Sequence, residues 1–226
     1  MIKVKICGIT NIEDAEQAVQ LGADYLGFIF ASSPRQVSSQ DAADILEELS
    51  KRNLRNAIKA VGVFVNEKEE VIKQIIRQTG IDEVQLHGEE DASAANSYTF
   101  TWYKALRVAS REDVAIQEDA VIQSWNCSRL LIDTKVEGMY GGTGQAVPLD
   151  VARYAKDRIK GAGKDFFLAG GITPDNVSRL TAAVQPDGID VGSGVEETTG
   201  KKSIEKMRQL FAEISALTIS HQRRRN

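Results

Sequence analysis

Eight strand-like stretches alternating with helical ones along 226 residues predict an α/β protein folded as a single-domain (β/α)₈ (TIM) barrel. Two further observations point the same way. The strands carry one apolar and one polar face, and glycine-rich segments follow the sixth, seventh and eighth of them. A doubly wound open sheet is the alternative, but it rarely uses eight regular units, and no G-x-G-x-x-G follows the first strand. The barrel is expected over residues 1–217, with 218–226 as a polar C-terminal tail and no interdomain linker.

The opening M-I-K-V-K-I-C-G-I-T alternates Ile2, Val4 and Ile6 with Lys3, Lys5 and Cys7, the period of a strand with unlike faces. Thr10 or Asn11 is placed to cap a helix that ends near Gly22. A second strand covers 25–30, and Ser38 or Ser39 caps the helix that follows it. The third strand is expected over 57–65, with Asn66 capping a helix over 67–78 that Gly80 closes. Strand 83–86 leads into His87-Gly88, a short helix near 91–96 and a fifth strand over 102–108. A weaker helix over 111–119 precedes strand 129–133, R-L-L-I-D. Beyond it come a glycine-rich loop to residue 145, a helix over 150–159 and strand 165–168. Thr173-Pro174 begins the next helix, since proline suits a first turn. Strand 188–191 ends in Gly192-Ser193-Gly194, and a last helix spans 203–217. The tail ends in S-H-Q-R-R-R-N, a solvated charged end.

Composition excludes several functions. The formal charge of −4 supplies no global basic field for nucleic acid or membrane, so an anionic ligand must be held by local donors. Two distant cysteines, Cys7 and Cys127, indicate a reduced cytoplasmic setting rather than a disulfide or zinc framework. Two histidines leave little scope for a metal site. The start of the chain leaves no room for a signal peptide, and no apolar run approaches membrane-spanning length.

Strand parity then locates a site. Helices must cover the apolar faces, so the polar faces point into the barrel. Their last members, Cys7, His87, Asp133 and Asp190, should converge at the carboxyl end, where ligands of such barrels sit. Bare backbone at Gly142 and Gly144, at Gly171, and at Gly192, Ser193 and Gly194 suits a phosphate, which needs close N–H donors. Asp133 reads either as a satisfied cap or, opposite an inward thiol, as half of an acid–base pair. Arg35 offers a planar fork for a carboxylate or is an ordinary surface arginine. His87 either donates to a backbone carbonyl or touches ligand. Cys127, at the other end of the barrel, reads as structural.

The segments K-I-C-G-I-T (5–10), G-F-I-F…S-P-R (27–35), V-G-V-F-V-N (61–66), Q-L-H-G (85–88), L-I-D-T (131–134), G-G-T-G (141–144), A-G-G-I (169–172) and V-G-S-G-V-E (191–196) occur in order. Together they resemble the phosphoribosylanthranilate isomerase family over nearly the whole chain. One departure follows Gly144, where the family has an aromatic residue and this chain reads Gln145-Ala146-Val147-Pro148. The resemblance implies an Amadori rearrangement of N-(5'-phosphoribosyl)anthranilate in tryptophan biosynthesis, without metal or cofactor. It implies Cys7 as general base, Asp133 as general acid and Arg35 on the anthranilate carboxylate, with His87 and Asp190 as further substrate contacts. The implied partner is a small phosphosugar, and the implied state is a monomer or homodimer, in loose association with other tryptophan-pathway enzymes. Indole-glycerol-phosphate synthase, a dual-substrate isomerase and a non-catalytic phosphosugar-binding barrel remain as alternatives. The last would have no need of Cys7 and Asp133 together.

Overall fold

The computed structural model describes residues 2–116, 119–134 and 146–223. Eight parallel strands close into a barrel in chain order: β1 (Lys3–Cys7), β2 (Tyr25–Ile29), β3 (Lys59–Phe64), β4 (Glu83–Leu86), β5 (Trp102–Val108), β6 (Arg129–Thr134), β7 (Asp165–Leu168) and β8 (Gly188–Val191). β8 returns to β1 with Lys5 opposite Asp190. The expected fold class is therefore observed.

Helices α1 (Ile12–Gln20), α2 (Ser39–Lys51), α3 (Glu69–Thr79), α4 (Ala92–Ala95), α5 (Arg111–Ile116), α6 (Asp119–Ser124), α7 (Leu149–Gly161), α8 (Pro174–Val184) and α9 (Ile204–Arg223) lie between or after the strands. Outward strand residues such as Ile6, Leu26, Leu86, Ile132 and Ile189 pack with the inner helix faces in one large core. A smaller cluster fills the barrel itself, around Val61, Tyr103, Leu131 and Phe167. Asn11 caps α1, its side chain accepting from Asp14 N at 2.8 Å. Ser38 caps α2 in a capping box with Asp41.

Several elements differ from expectation. α3 begins two residues late, and Asn66 is not its cap. Asn66 instead takes a φ of 52° and accepts from Glu89 N at 2.6 Å, tying the loop after β3 to the loop after β4. Of the helix expected over 111–119, the described residues are helical over Arg111–Ile116, and helix is also described over Asp119–Ser124, beyond the expected end. α9 continues past Leu217 to Arg223. A small hairpin, β9 (Glu196–Thr198) with β10 (Lys201–Lys202), follows β8. Strands that short show no period from which to read them.

The amino-terminal edge of the barrel repeats one device. Asp24, Asp82 and Asp187 each immediately precede an even-numbered strand, and each carboxylate accepts the backbone N–H of a residue in the preceding odd-numbered strand. The donors are Val4 at 2.8 Å, Ala60 at 2.6 Å and Phe166 at 2.8 Å. The backbone N–H of each aspartate returns a bond to the carbonyl of the same residue. Lys3, Arg55 and Lys160 neutralise the three carboxylates. Strand pairs are thus clasped far from the site.

Asp82→Ala should cost about 1–3 kcal/mol, because the buried Ala60 N–H loses its acceptor. Asp82→Asn, which keeps an acceptor, should recover most of it, and kcat should stay unchanged in both. Urea unfolding alongside kinetics measures this, and a matching fall in kcat would contradict a purely structural role.

Candidate active site

Two layers of charge lie inside the barrel. In the lower layer the Arg129 guanidinium is sandwiched by the rings of Tyr103, Phe167 and Tyr25, at 4.3, 4.6 and 4.9 Å from their centroids. It pairs with Glu83, which also accepts from Lys59 Nζ. Above it, Lys5 Nζ donates to Gln85 Oε1 at 2.6 Å and to Asp190 Oδ2 at 2.8 Å, and stands 3.4 Å from Cys7 Sγ. Burial alone would lower the Lys5 ammonium, but Asp190 and Cys7 raise it, and the net shift is upward.

Cys7 ends β1, partly buried, at the top of this stack. Burial pushes its thiol above the usual cysteine range, and the Asp190 carboxylate pushes the same way. Lys5 and Lys202 pull it down. Lys202 Nζ, on β10, donates to the carbonyl of Cys7 at 2.6 Å and of Gly192 at 3.2 Å. It also pairs with Glu196 at 3.0 Å, so one buried ammonium joins the end of β1 to the loop after β8. Arg35 gives its fork to Glu196, with Nε and Nη2 each 2.7 Å from a carboxylate oxygen. The expected carboxylate fork is thus taken by a protein carboxylate. Nη1 and the outer N–H of Nη2 form the edge that a second carboxylate could take.

Asp133 lies near the end of β6 and is buried, Oδ1 accepting from Thr134 N at 2.7 Å. His87 Nε2 stands 3.4 Å from Asp133 Oδ2 without forming a hydrogen bond. The His87 tautomer follows from its neighbours. Gln85 Oε1 accepts from both Lys5 Nζ and Tyr103 Oη, at 2.6 and 2.8 Å, so its amide nitrogen faces His87 Nδ1 at 2.9 Å. Nδ1 must accept, which leaves the imidazole proton on Nε2, towards Asp133. His87 therefore meets side chains, not the backbone carbonyl that one reading foresaw. The loop carrying it is pinned from outside by Lys104, which donates to Gly88 O at 2.5 Å and to Glu90 Oε2 at 2.6 Å.

Contacts thus run from Cys7 through Lys5, Gln85 and His87 to Asp133 across the mouth. Asp190 joins the same group and keeps Oδ1 buried without a hydrogen-bond partner among the described residues. Sequence parity found the residues at the rim. It missed the roles of Lys5, Gln85 and Tyr103 below, and of Lys202 and Glu196 on the hairpin. The available signal was Glu196, which ends the segment V-G-S-G-V-E, and the charged pairs Glu196-Glu197 and Lys201-Lys202 after Gly194. Cys127 sits at the opposite end, its Sγ donating to Arg129 O at 3.2 Å.

The glycine corner combines three physical requirements. Gly170 and Gly171 adopt φ of +83° and +58°, and a side chain at Gly170 would strike Thr134 Oγ1. Gly194 lies flat on the Ile172 carbonyl, which brings the loops after β7 and β8 together. At Gly192 a Cβ would meet, among the described residues, only Cys7 O, at 3.7 Å, an ordinary contact distance. Ser193 begins a 3₁₀ turn, Ser193–Val195. Gly142 and Gly144 lie outside the described residues.

The closed eight-stranded barrel, with a thiol and a carboxylate at the carboxyl ends of β1 and β6, places the chain among the (β/α)₈ barrels whose polar groups gather at the mouth. Residues 4–213 match the sequence profile of N-(5'phosphoribosyl)anthranilate (PRA) isomerase, and the chain belongs to that family. A relative named N-(5'-phosphoribosyl)anthranilate isomerase, from Pelobacter propionicus, is 42% identical over 214 residues, covering 93% of this chain and 94% of its own. The crystal structure of monomers of dimeric phosphoribosylanthranilate isomerase from Thermotoga maritima superimposes with a TM-score of 0.80 at 33% identity, covering 96% of this chain and all of that one. A phosphoribosylanthranilate isomerase in complex with reduced 1-(o-carboxyphenylamino)-1-deoxyribulose 5-phosphate aligns with a TM-score of 0.80 at 32% identity and the same coverage.

The glycines give a testable contrast. Gly194→Ala should destabilise the fold by about 1–3 kcal/mol through overpacking, whereas Gly192→Ala should leave urea unfolding unchanged and raise KM for a phosphorylated substrate. Equal losses of stability in the two variants would contradict the distinction.

Proposed function

We propose that this phosphoribosylanthranilate isomerase performs its Amadori rearrangement with Cys7 as general base and Asp133 as general acid. The observation that carries this reading is the continuous line of contacts linking Cys7 through Lys5, Gln85 and His87 to Asp133. It supports two proton-transfer groups held on one framework at the barrel mouth.

Opening the furanose of N-(5'-phosphoribosyl)anthranilate breaks the C1–O bond and needs a proton on the ring oxygen, which a protonated Asp133 supplies. The resulting Schiff base acidifies the hydrogen on C2. The Cys7 thiolate removes it, giving an enolamine and a thiol. Tautomerisation then yields 1-(2-carboxyphenylamino)-1-deoxy-D-ribulose 5-phosphate.

Arg35 binds the anthranilate carboxylate through the guanidinium edge that Glu196 leaves open, with Glu196 fixing the plane of the fork. The phosphate takes backbone N–H groups at Gly171, Gly192, Ser193 and Gly194, with Gly142 and Gly144 on the sixth loop. Asp190 Oδ1, buried and without a partner among the described residues, suits a ribose hydroxyl, and His87 completes the wall beside Asp133. The chain acts as a monomer or homodimer, loosely associated with other enzymes of tryptophan synthesis. A solved family member is described as dimeric and as monomers. Two free thiols support a cytoplasmic setting. No helix among the described residues is long and apolar enough to cross a membrane.

Cys7→Ala and Asp133→Asn should each lower kcat by about 10²–10⁴-fold while leaving binding of a reduced product analogue intact. Loss of anthranilate fluorescence on turnover measures this, and near wild-type kcat in either variant would remove that residue from its role. Arg35→Ala should cost about tenfold or more in kcat/KM, as expected for a charged contact of roughly 1.5–3 kcal/mol. Glu196 keeps Lys202 as its partner in that variant. Arg35→Lys should rescue poorly, since a point charge cannot reproduce the fork; full rescue would show that charge alone suffices.

A further inference from the structure

Lys5 is 1% exposed, and its ammonium has three protons for three acceptors. Two acceptors are the oxygens of Gln85 and Asp190, and the third is the sulfur of Cys7 at 3.4 Å. We propose that Lys5 is the positioning residue of the catalytic base, the buried counter-ion that holds the Cys7 thiolate in place and keeps it accessible at neutral pH. The proposal rests on the reading of Cys7 as the base and extends it to the group beneath.

Lys5 and Cys7 point inward from alternate positions of one strand, so the ammonium approaches the sulfur from below. The room in which they meet is made by Gly27 on the neighbouring strand. A Cβ there would fall 2.6 Å from Cys7 Sγ and 3.0 Å from Lys5 Cε. If Lys5 served only to neutralise Asp190, neither the contact with sulfur nor the bare position at Gly27 would be required.

The charged and titratable groups facing the sulfur oppose one another. Lys5 on β1 and Lys202 on β10 favour the thiolate, while Asp190 on β8 and burial disfavour it. Arg35 beyond β2 senses the thiolate from the rim, and Tyr103 on β5 does so from within the barrel. Of the two ammonium groups, Lys5 contacts the sulfur itself and Lys202 contacts the carbonyl of the same residue. Removing the sulfur's only direct cationic contact among the described residues should therefore make ionisation harder.

The test is the rate at which iodoacetamide alkylates Cys7, followed by peptide mass so that Cys127 is counted separately, across neutral to alkaline pH. In Lys5→Met the rate at neutral pH should fall about tenfold or more, with the inflection moved up by about one unit or more. A loosened barrel would raise the plateau rate without moving the inflection that way, so an inflection unmoved or moved down overturns the proposal. The wild-type enzyme supplies a second readout that does not depend on the variant folding. The Lys5 ¹⁵Nζ resonance should shift with the alkylation inflection and lose that step in Cys7→Ala. A resonance blind to Cys7 ionisation also overturns it. Both measurements omit substrate, so they stand apart from the turnover of Cys7→Ala, which tests the base assignment.

Discussion

A lysine ammonium enclosed by a β-barrel must be neutralised there, since an uncompensated buried charge costs several kcal/mol. Lys5 meets that demand by drawing residues from four strands to one point: its own β1, Gln85 on β4, Asp190 on β8 and, through Gln85, Tyr103 on β5. The layer below repeats the solution with different chemistry. There the Arg129 guanidinium is held between aromatic faces and one glutamate. The barrel interior is therefore specified by polar pairing as much as by apolar filling, and the pairing passes upward into the rim. Because Gln85 is oriented by Lys5 and Tyr103, it orients His87, and His87 presents its N–H to Asp133. The polarity of the mouth is set from beneath it.

The rim is closed from the other side by a hairpin of five strand residues. Glu196 takes the fork of Arg35, and Lys202 takes the carbonyl that ends β1 and that of Gly192 just after β8. These two side chains are themselves paired and buried. Their pairing couples the loop after β2, which carries the arginine, to the loop after β8, which carries the glycine turn. Flexible loops would cost entropy to order around a ligand. Here the loop after β8 and the one bearing His87 are tied down by buried lysines, Lys202 and Lys104. This division also explains the contrast between the two ends of the barrel. The aspartate clasps at the amino-terminal edge stabilise strand pairs and leave the carboxyl edge free to be shaped by chemistry.

The sequence by itself determined the barrel and the membership of its interior. Alternation with a period of two states which side chains of a strand share a face, so Lys5 and Cys7 were necessarily neighbours, and glycines after β7 and β8 marked where backbone could come close. The signature segments assigned the family without any contact being known. Tertiary structure alone decided the partners. Lys5 meets Gln85 and Asp190 across 80 and 185 residues, and Arg35 meets Glu196 across 161, separations over which no local pattern carries information. It also distinguished glycines that look alike in the sequence: Gly170 and Gly171 for positive φ, Gly194 for close packing, Gly192 for neither. It moved Asn66 from a helix cap to a tie between loops, because a capping side chain can be claimed by whichever backbone donor the fold brings nearest. Local periodicity fixes which way a side chain points, while closure of the barrel fixes what it meets.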